Sequence, residues 1–244
     1  MGRDMLGRSI ASALTAIISV AILLFAGLVV LIYMPDSPLP DHWNPAKPLV
    51  INDPVNMLTD WKLARVLANG ALCKATLATG ATFNTQPEKI DSQRCGITDH
   101  ISLLRIGNAQ VKPVNTRCQT ALRWAMWTTH DLQPKARELF DQDIREIKHF
   151  SSYNCREIRT SAGSGRRMST HATAEAIDVA GFVLKYGTSV DLKRDWGGST
   201  SKSAFLRHAN TSACKWFRVT LGPNYNALHA DHFHLQHTGW GLCR

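Results

Sequence analysis

A chain of 244 residues, 44% hydrophobic and 19% charged, has room for one membrane segment and one domain with a real core, which excludes a mostly disordered protein. Its 28 basic and 19 acidic residues leave a net charge of +9, which favours an anionic surrounding: a lipid face, a polyanionic wall or nucleic acid. No nucleic-acid-binding motif accompanies that charge, so nucleic acid is set aside as a partner.

Residues 1–9 form a short polar tail with Arg3 and Arg8. Ile10 to Tyr33 carries no charged residue. As a helix this run of about 24 residues is roughly 36 Å long, enough to cross the hydrocarbon layer. A signal peptide has a shorter apolar core and ends in a small-x-small cleavage site. This run ends in Tyr33-Met34-Pro35, so residues 10–33 read as an uncleaved signal anchor. The amino-terminal arginines place the tail in the cytoplasm and the rest of the chain outside. The six cysteines, at 73, 95, 118, 155, 214 and 243, all follow the apolar run. An even number on one side of a membrane points to disulfides in an oxidising compartment. The pairing stays open, and the absence of any CxxC argues against a Cys-rich zinc ribbon.

Residues 34–58 are rich in proline and read as a semi-rigid tether. Residues 59–244 read as the domain. Asp60 to Leu77 has apolar residues at helical spacing. Gly80 to Cys95 is polar and turn-rich, and Ile101 to Val111 alternates weakly, as strands do. Helices are expected over Thr116 to His130 and Pro134 to His149, with Trp124 and Trp127 in the core. Ser152 to Ile158 reads as a strand and Thr160 to Met168 as a loop. Ala176 to Leu184 is an apolar strand interrupted by Asp178. Ala204 to Trp216 is a helix, Phe217 to Leu221 a short strand, and His232 to Gln236 the last strand. The expected fold class is α+β, with helices of the first half packed on a small antiparallel sheet.

Two runs carry the chemistry: Ser169 to Asp178, and Asp231-His232-Phe233-His234. A carboxylate inside an apolar strand costs several kcal/mol unless it is paired or metal-bound. His171 precedes that strand, and His232 and His234 share one face of theirs because strand side chains alternate. Each residue alone reads as an ordinary hydrogen-bonded side chain. Together, two imidazoles and one carboxylate with a position left for water have the composition of a hydrolytic zinc site.

Ser-x-His-x6-Asp followed by His-x-His resembles the zinc peptidases that cut cell-wall peptides, the D-Ala-D-Ala carboxypeptidase and lysostaphin superfamily. A more specific resemblance is to the bacterial extensin-like carboxyl-terminal family. It is carried by Tyr153-Asn-Cys-Arg, Ser169-x-His-Ala-Thr-Ala-x-Ala-Ile-Asp, Leu221-Gly-Pro-x-Tyr-Asn and Asp231-His-Phe-His-Leu, with Cys95-Gly and Cys118-x2-Ala-x2-Trp, over roughly residues 70 to 243.

The resemblance implies a Zn2+ cofactor held by His171, Asp178 and His234. In those peptidases the acid three positions before the last ligand takes the proton of the attacking water, which here is Asp231. Strand alternation alone puts Asp231 on the face away from His234, so His232 competes for that role. Arg156 matches an arginine that contacts substrate or the developing oxyanion. Ser169 is expected to cap the loop or to bond a ligand, and His229 and His237 to stand at the rim or just behind the ligands. Arg166 and Arg167 flank the expected cleft. Ala174 stands where many of these peptidases have glycine. The implied protein is a single-pass inner-membrane metallopeptidase with a periplasmic domain, a D,D-type hydrolase of peptidoglycan peptides. The alternative is a non-catalytic envelope or peptidoglycan-binding module.

Overall fold

The computed structural model describes residues 2–160 and 163–244, without the side chains of residues 2–11, 160 and 164–166. The side chains of Arg3, Arg8 and Arg166 thus lie outside the described ones. The chain divides into two compact units, residues 1–49 with 54–62, and residues 50–53 with 63–244.

In the first unit the uncharged run is one helix, α1 (Gly2–Tyr33), whose segment Ser12–Tyr33 is long and apolar enough to cross a membrane. A helix satisfies its backbone polar groups internally, which an apolar surrounding demands. The proline-rich stretch after it folds back on the end of the helix. Ser37 Oγ donates to Leu31 O (2.7 Å), and Asn44 Nδ2 donates to Ile32 O (2.9 Å) from a fully buried position. The prolines set turns here, and a 3-10 turn follows at Asp41–Trp43.

The helix expected over 60–77 is two helices, α2 (Thr59–Leu67) and α3 (Gly70–Leu77). Asn69 breaks the run by capping α3, its side chain accepting from Leu72 N at 3.0 Å. Gly70 leaves room at this break for the Asp99 carboxylate, since a Cβ there would lie 1.7 Å from Asp99 Oδ1 and displace that side chain.

Strands then appear where polar turns were expected. β1 (Ala81–Thr85) and β2 (Lys89–Ser92) are too exposed to show an apolar pattern. β3 (Cys95–Ile97), β4 (His100–Ile106) and β5 (Ala109–Arg117) follow, and β2 pairs β3 in a separate hairpin. α4 (Cys118–Trp127) passes through a π turn at Thr128–Leu132 into α5 (Gln133–Phe140). Asp141 in the left-handed conformation ends α5, so residues 144–149, expected as helix, form β6 (Ile144–His149).

Residues 152–156 are loop rather than strand, and the expected loop after them holds the hairpin β7 (Glu157–Thr160) and β8 (Gly163–Met168). β9 (Ala176–Leu184) is as expected. β10 (Ser189–Asp191), α6 (Leu192–Asp195), α7 (Ser201–Trp216), β11 (Val219–Leu221), β12 (Phe233–Gln236) and β13 (Leu242–Cys243) complete the chain.

Among the described residues nine strands form the main sheet, in the order β1-β4-β5-β6-β9-β12-β11-β13 with β10 also on β9. The fold is mixed α+β, but helices are not confined to the first half, and the sheet is neither small nor purely antiparallel. β5–β6 and β11–β13 pair in parallel. α4 enables the first of these by carrying the chain back between β5 and β6. Trp124, Trp127, Phe182, Phe205 and Trp216 fill the core, with Phe182 edge-on to Trp127 (6.3 Å) and to Phe205 (5.2 Å). Three disulfides brace it: Cys73–Cys118, Cys95–Cys155 and Cys214–Cys243.

Candidate metal centre

Pairing of β9 with β12 sets Asp178 directly opposite His234. Cross-strand partners share a face, so the carboxylate and the imidazole meet. His234 Nδ1 lies 3.0 Å from Asp178 Oδ1. His171 arrives from the 3-10 turn Thr170–Thr173, which Ser169 caps by accepting from His171 N at 3.3 Å. Ser169 is thus a cap, one of its two expected roles.

His171 Nε2 lies 3.2 Å from Asp178 Oδ1 and 3.1 Å from His234 Nδ1. The three atoms form a nearly equilateral triangle with sides of 3.0–3.2 Å. His171 is buried, and the other two are mostly so.

Hydrogen bonding fixes the His171 tautomer. Its Nδ1 is 2.9 Å from Ser152 O, which only accepts, so Nδ1 carries the proton. In the neutral ring Nε2 then presents a lone pair to Asp178 Oδ1, itself an acceptor. One proton on His234 Nδ1 is all the triangle can hold, and three electron-rich atoms surround it. Burial pushes the Asp178 carboxyl up, but the two imidazoles, wherever they carry protons on the facing nitrogens, outweigh it through hydrogen bonds and charge and hold the group well below the usual carboxylate range. The donor set, with one imidazole turned by a backbone carbonyl, has the chemistry of a divalent metal site.

His232 joins this cluster from the residue before β12, its Nε2 3.6 Å from Asp178 Oδ1. Its Nδ1 is 2.9 Å from Asp231 Oδ1, so the neutral ring turns the Nε2 lone pair inward. Asp231 stands behind the ring, with 43% of its side chain exposed. Phe233, between the two histidines, is fully buried on the other face, as alternation demands. His229 is at the rim, 5.2 Å ring-to-ring from His232 and 5.9 Å from His234. Burial, then the charges of His232 and His234, lowers its pKa to about 4.

His237 is not a rim residue. Thr120 Oγ1 donates to Ala174 O at 2.8 Å and accepts from His237 Nδ1 at 2.9 Å, behind the turn. Burial, then repulsion from Arg117 and Arg123, lowers its pKa to about 3. Folding therefore favours the neutral ring. Stability is full above the unfolded value near 6.5 and falls as acid protonates the unfolded chain first. Wild type loses about 2 kcal/mol between pH 7.5 and pH 5 through this one group. Urea unfolding at the two pH values checks it: His237→Gln should be less pH-sensitive by that amount, and equal losses refute the assignment.

Arg156 comes near the turn through its backbone, Ser169 N donating to Arg156 O at 3.0 Å. Its guanidinium donates to Glu157 O at 3.2 Å, and no contact with the His-Asp-His cluster occurs among the described residues. Arg167 is exposed on β8.

Ala174 is left-handed, with φ +51° and ψ 30°, and fully buried. The Thr120 hydroxyl on its carbonyl holds it there. Glycine suits such a conformation better than alanine. Ala174→Gly should stabilise the protein by about 1 kcal/mol, since a β-carbon is strained in that region. A melting temperature lower than wild type counts against this.

Fold and cluster together define a mixed α+β domain that assembles a buried His-Asp-His set on neighbouring strands and an adjoining turn. Residues 71–244 match the model of the family Extensin-like protein C-terminus, and the chain belongs to that family. No curated protein and no solved structure matches the chain.

Proposed function

We propose that the protein is a membrane-anchored hydrolase of peptidoglycan peptides, a D,D-type endo- or carboxypeptidase whose carboxyl-terminal domain faces the periplasm. In this reading one zinc ion is held by His171, Asp178 and His234. The observation that carries it is the donor triangle. Four ligands about 2.0–2.1 Å from a tetrahedral zinc ion stand roughly 3.3 Å apart, close to the 3.0–3.2 Å sides found here.

A bound zinc ion supplies Lewis acidity, which polarises an amide carbonyl and makes water acidic near neutral pH. The chain's own residues do the rest. His232 accepts the proton through Nε2, the nitrogen that faces the cluster. Asp231 holds the other ring nitrogen, fixing the tautomer and stabilising the imidazolium that forms. This reverses the roles the resemblance suggests for the pair, because the ring and not the carboxylate is turned toward the ligands. Arg156 and Arg167 give the approach to the site a positive sign, which suits acidic wall peptides.

The test is digestion of purified muropeptides by the detergent-solubilised protein, with and without chelator, and product masses. Cleavage that stops on chelation and returns with zinc is expected. Intact muropeptides beside zinc-loaded protein would leave a wall-binding module instead.

A further inference from the structure

Beside the cluster, the β2–β3 hairpin and the His171 turn enclose a cavity of about 330 Å³. Its walls include Lys89, Ile90, Arg94, Cys95, Arg117 and Thr173. Three of these are cations, and none of the described lining residues is acidic.

The cations keep donors to spare. Lys89 Nζ is 2.9 Å from Asp91 Oδ1, and Arg117 Nη1 is 2.9 Å from Glu175 Oε1. Arg117 Nε is nevertheless buried without a hydrogen-bond partner. Arg94 has no ion pair among the described residues. The guanidinium fork matches a carboxylate in particular. The rest of the wall is mixed: Ser92, Gln93, Thr98 and Thr173 are polar, while Ile90, 81% exposed, and the disulfide-locked Cys95 add apolar surface. Cations beside a partly apolar wall suit an anion carried on an organic body.

The cavity is built rigidly onto the metal-centre wall. Cys95–Cys155 joins the hairpin to the segment before β7. Tyr153 Oη donates to Asp91 Oδ2 at 2.5 Å, and Lys89 Nζ sits 5.3 Å from the centre of the Tyr153 ring. Ser152, next in the chain, accepts from His171 Nδ1. Thr173 lies on the same turn as His171.

We propose that this cavity binds a carboxylate carried by a peptide, anchored by Arg94 and Lys89 with the Arg117 guanidinium in the same wall. Its role in turnover rests on the peptidase reading: an acidic residue of the substrate is held here while a neighbouring amide reaches the cluster. Its binding does not rest on that reading.

The test uses the full chain carrying His171→Ala, which keeps binding separate from hydrolysis. The probes are acetyl-Ala-Glu-amide and its neutral isostere acetyl-Ala-Gln-amide, titrated by calorimetry at low salt. The acid should bind at least about tenfold tighter than the amide, as charge-assisted bonds require. Lys89→Gln with Arg94→Gln, both at the hairpin surface, should abolish that preference without lowering the melting temperature. Equal binding of acid and amide, or a preference that survives the double variant, overturns the site. Displacement of the peptide by equimolar inorganic phosphate overturns the requirement for an organic body. With His171 intact, muropeptides that the wild type cleaves should show a raised KM and unchanged kcat with the double variant. If the wild type cleaves nothing, the peptidase reading falls and the titration still decides the cavity.

Discussion

His171→Ala should take the protein from one bound zinc per chain to none, and muropeptide cleavage should disappear with it. His171 supplies one of three donors, and its ring is set by the Ser152 carbonyl rather than by solvent. Without it, Asp178 and His234 remain as a two-point site open to water, too few ligands to hold zinc against a chelator. The substitution also leaves Ser152 O without its donor, which costs about 1–3 kcal/mol. Three disulfides and a core distant in sequence from the turn should keep the domain folded, so circular dichroism should stay close to wild type. Metal analysis of the purified variant is the readout. Zinc retained at one per chain would remove the proposed ligand set.

The second large effect separates two neighbours in the chain. His232→Ala should lower turnover by about 10²–10⁴-fold while zinc stays bound, the range for loss of a general base. Asp231→Asn should cost less, because the ring keeps its place and loses only the charge behind it. Zinc content and turnover measured on both variants decide the assignment. If Asp231→Asn is the more damaging, the carboxylate itself takes the proton, and the 2.9 Å contact with His232 Nδ1 must open during the reaction.

How far the sequence could be read depended on burial. β9 was legible from end to end because its apolar run is continuous and Asp178 stands out within it. α7 and the core tryptophans were legible for the same reason. β1 and β2 were not, since strands exposed on most positions carry no period-two signal. Residues 144–149 misled because Ile144 and Ile147, three apart, fit a helix as well as a strand bonded in parallel on one side. At the site, the residue types and their separation pointed to His171, Asp178 and one of His232 and His234, and the family resemblance selected His234. The opposition of Asp178 and His234 was not visible, because register between strands more than 50 residues apart is a property of the whole sheet. The inward turn of His232 was also hidden, since it depends on which ring nitrogen Asp231 holds. The cationic cavity was missed altogether: Lys89, Arg94 and Arg117 are scattered in the chain and converge only through the hairpin and its disulfide.

The cross-strand opposition of Asp178 and His234 has a use beyond chemistry. Sliding β12 by a single position against β9 would point the two side chains to opposite surfaces. Only molecules aligned correctly retain the triangle, so under the proposed zinc reading uptake of the ion would score the fidelity of sheet assembly. Refolded material fractionated by zinc content would be fractionated by strand alignment as well.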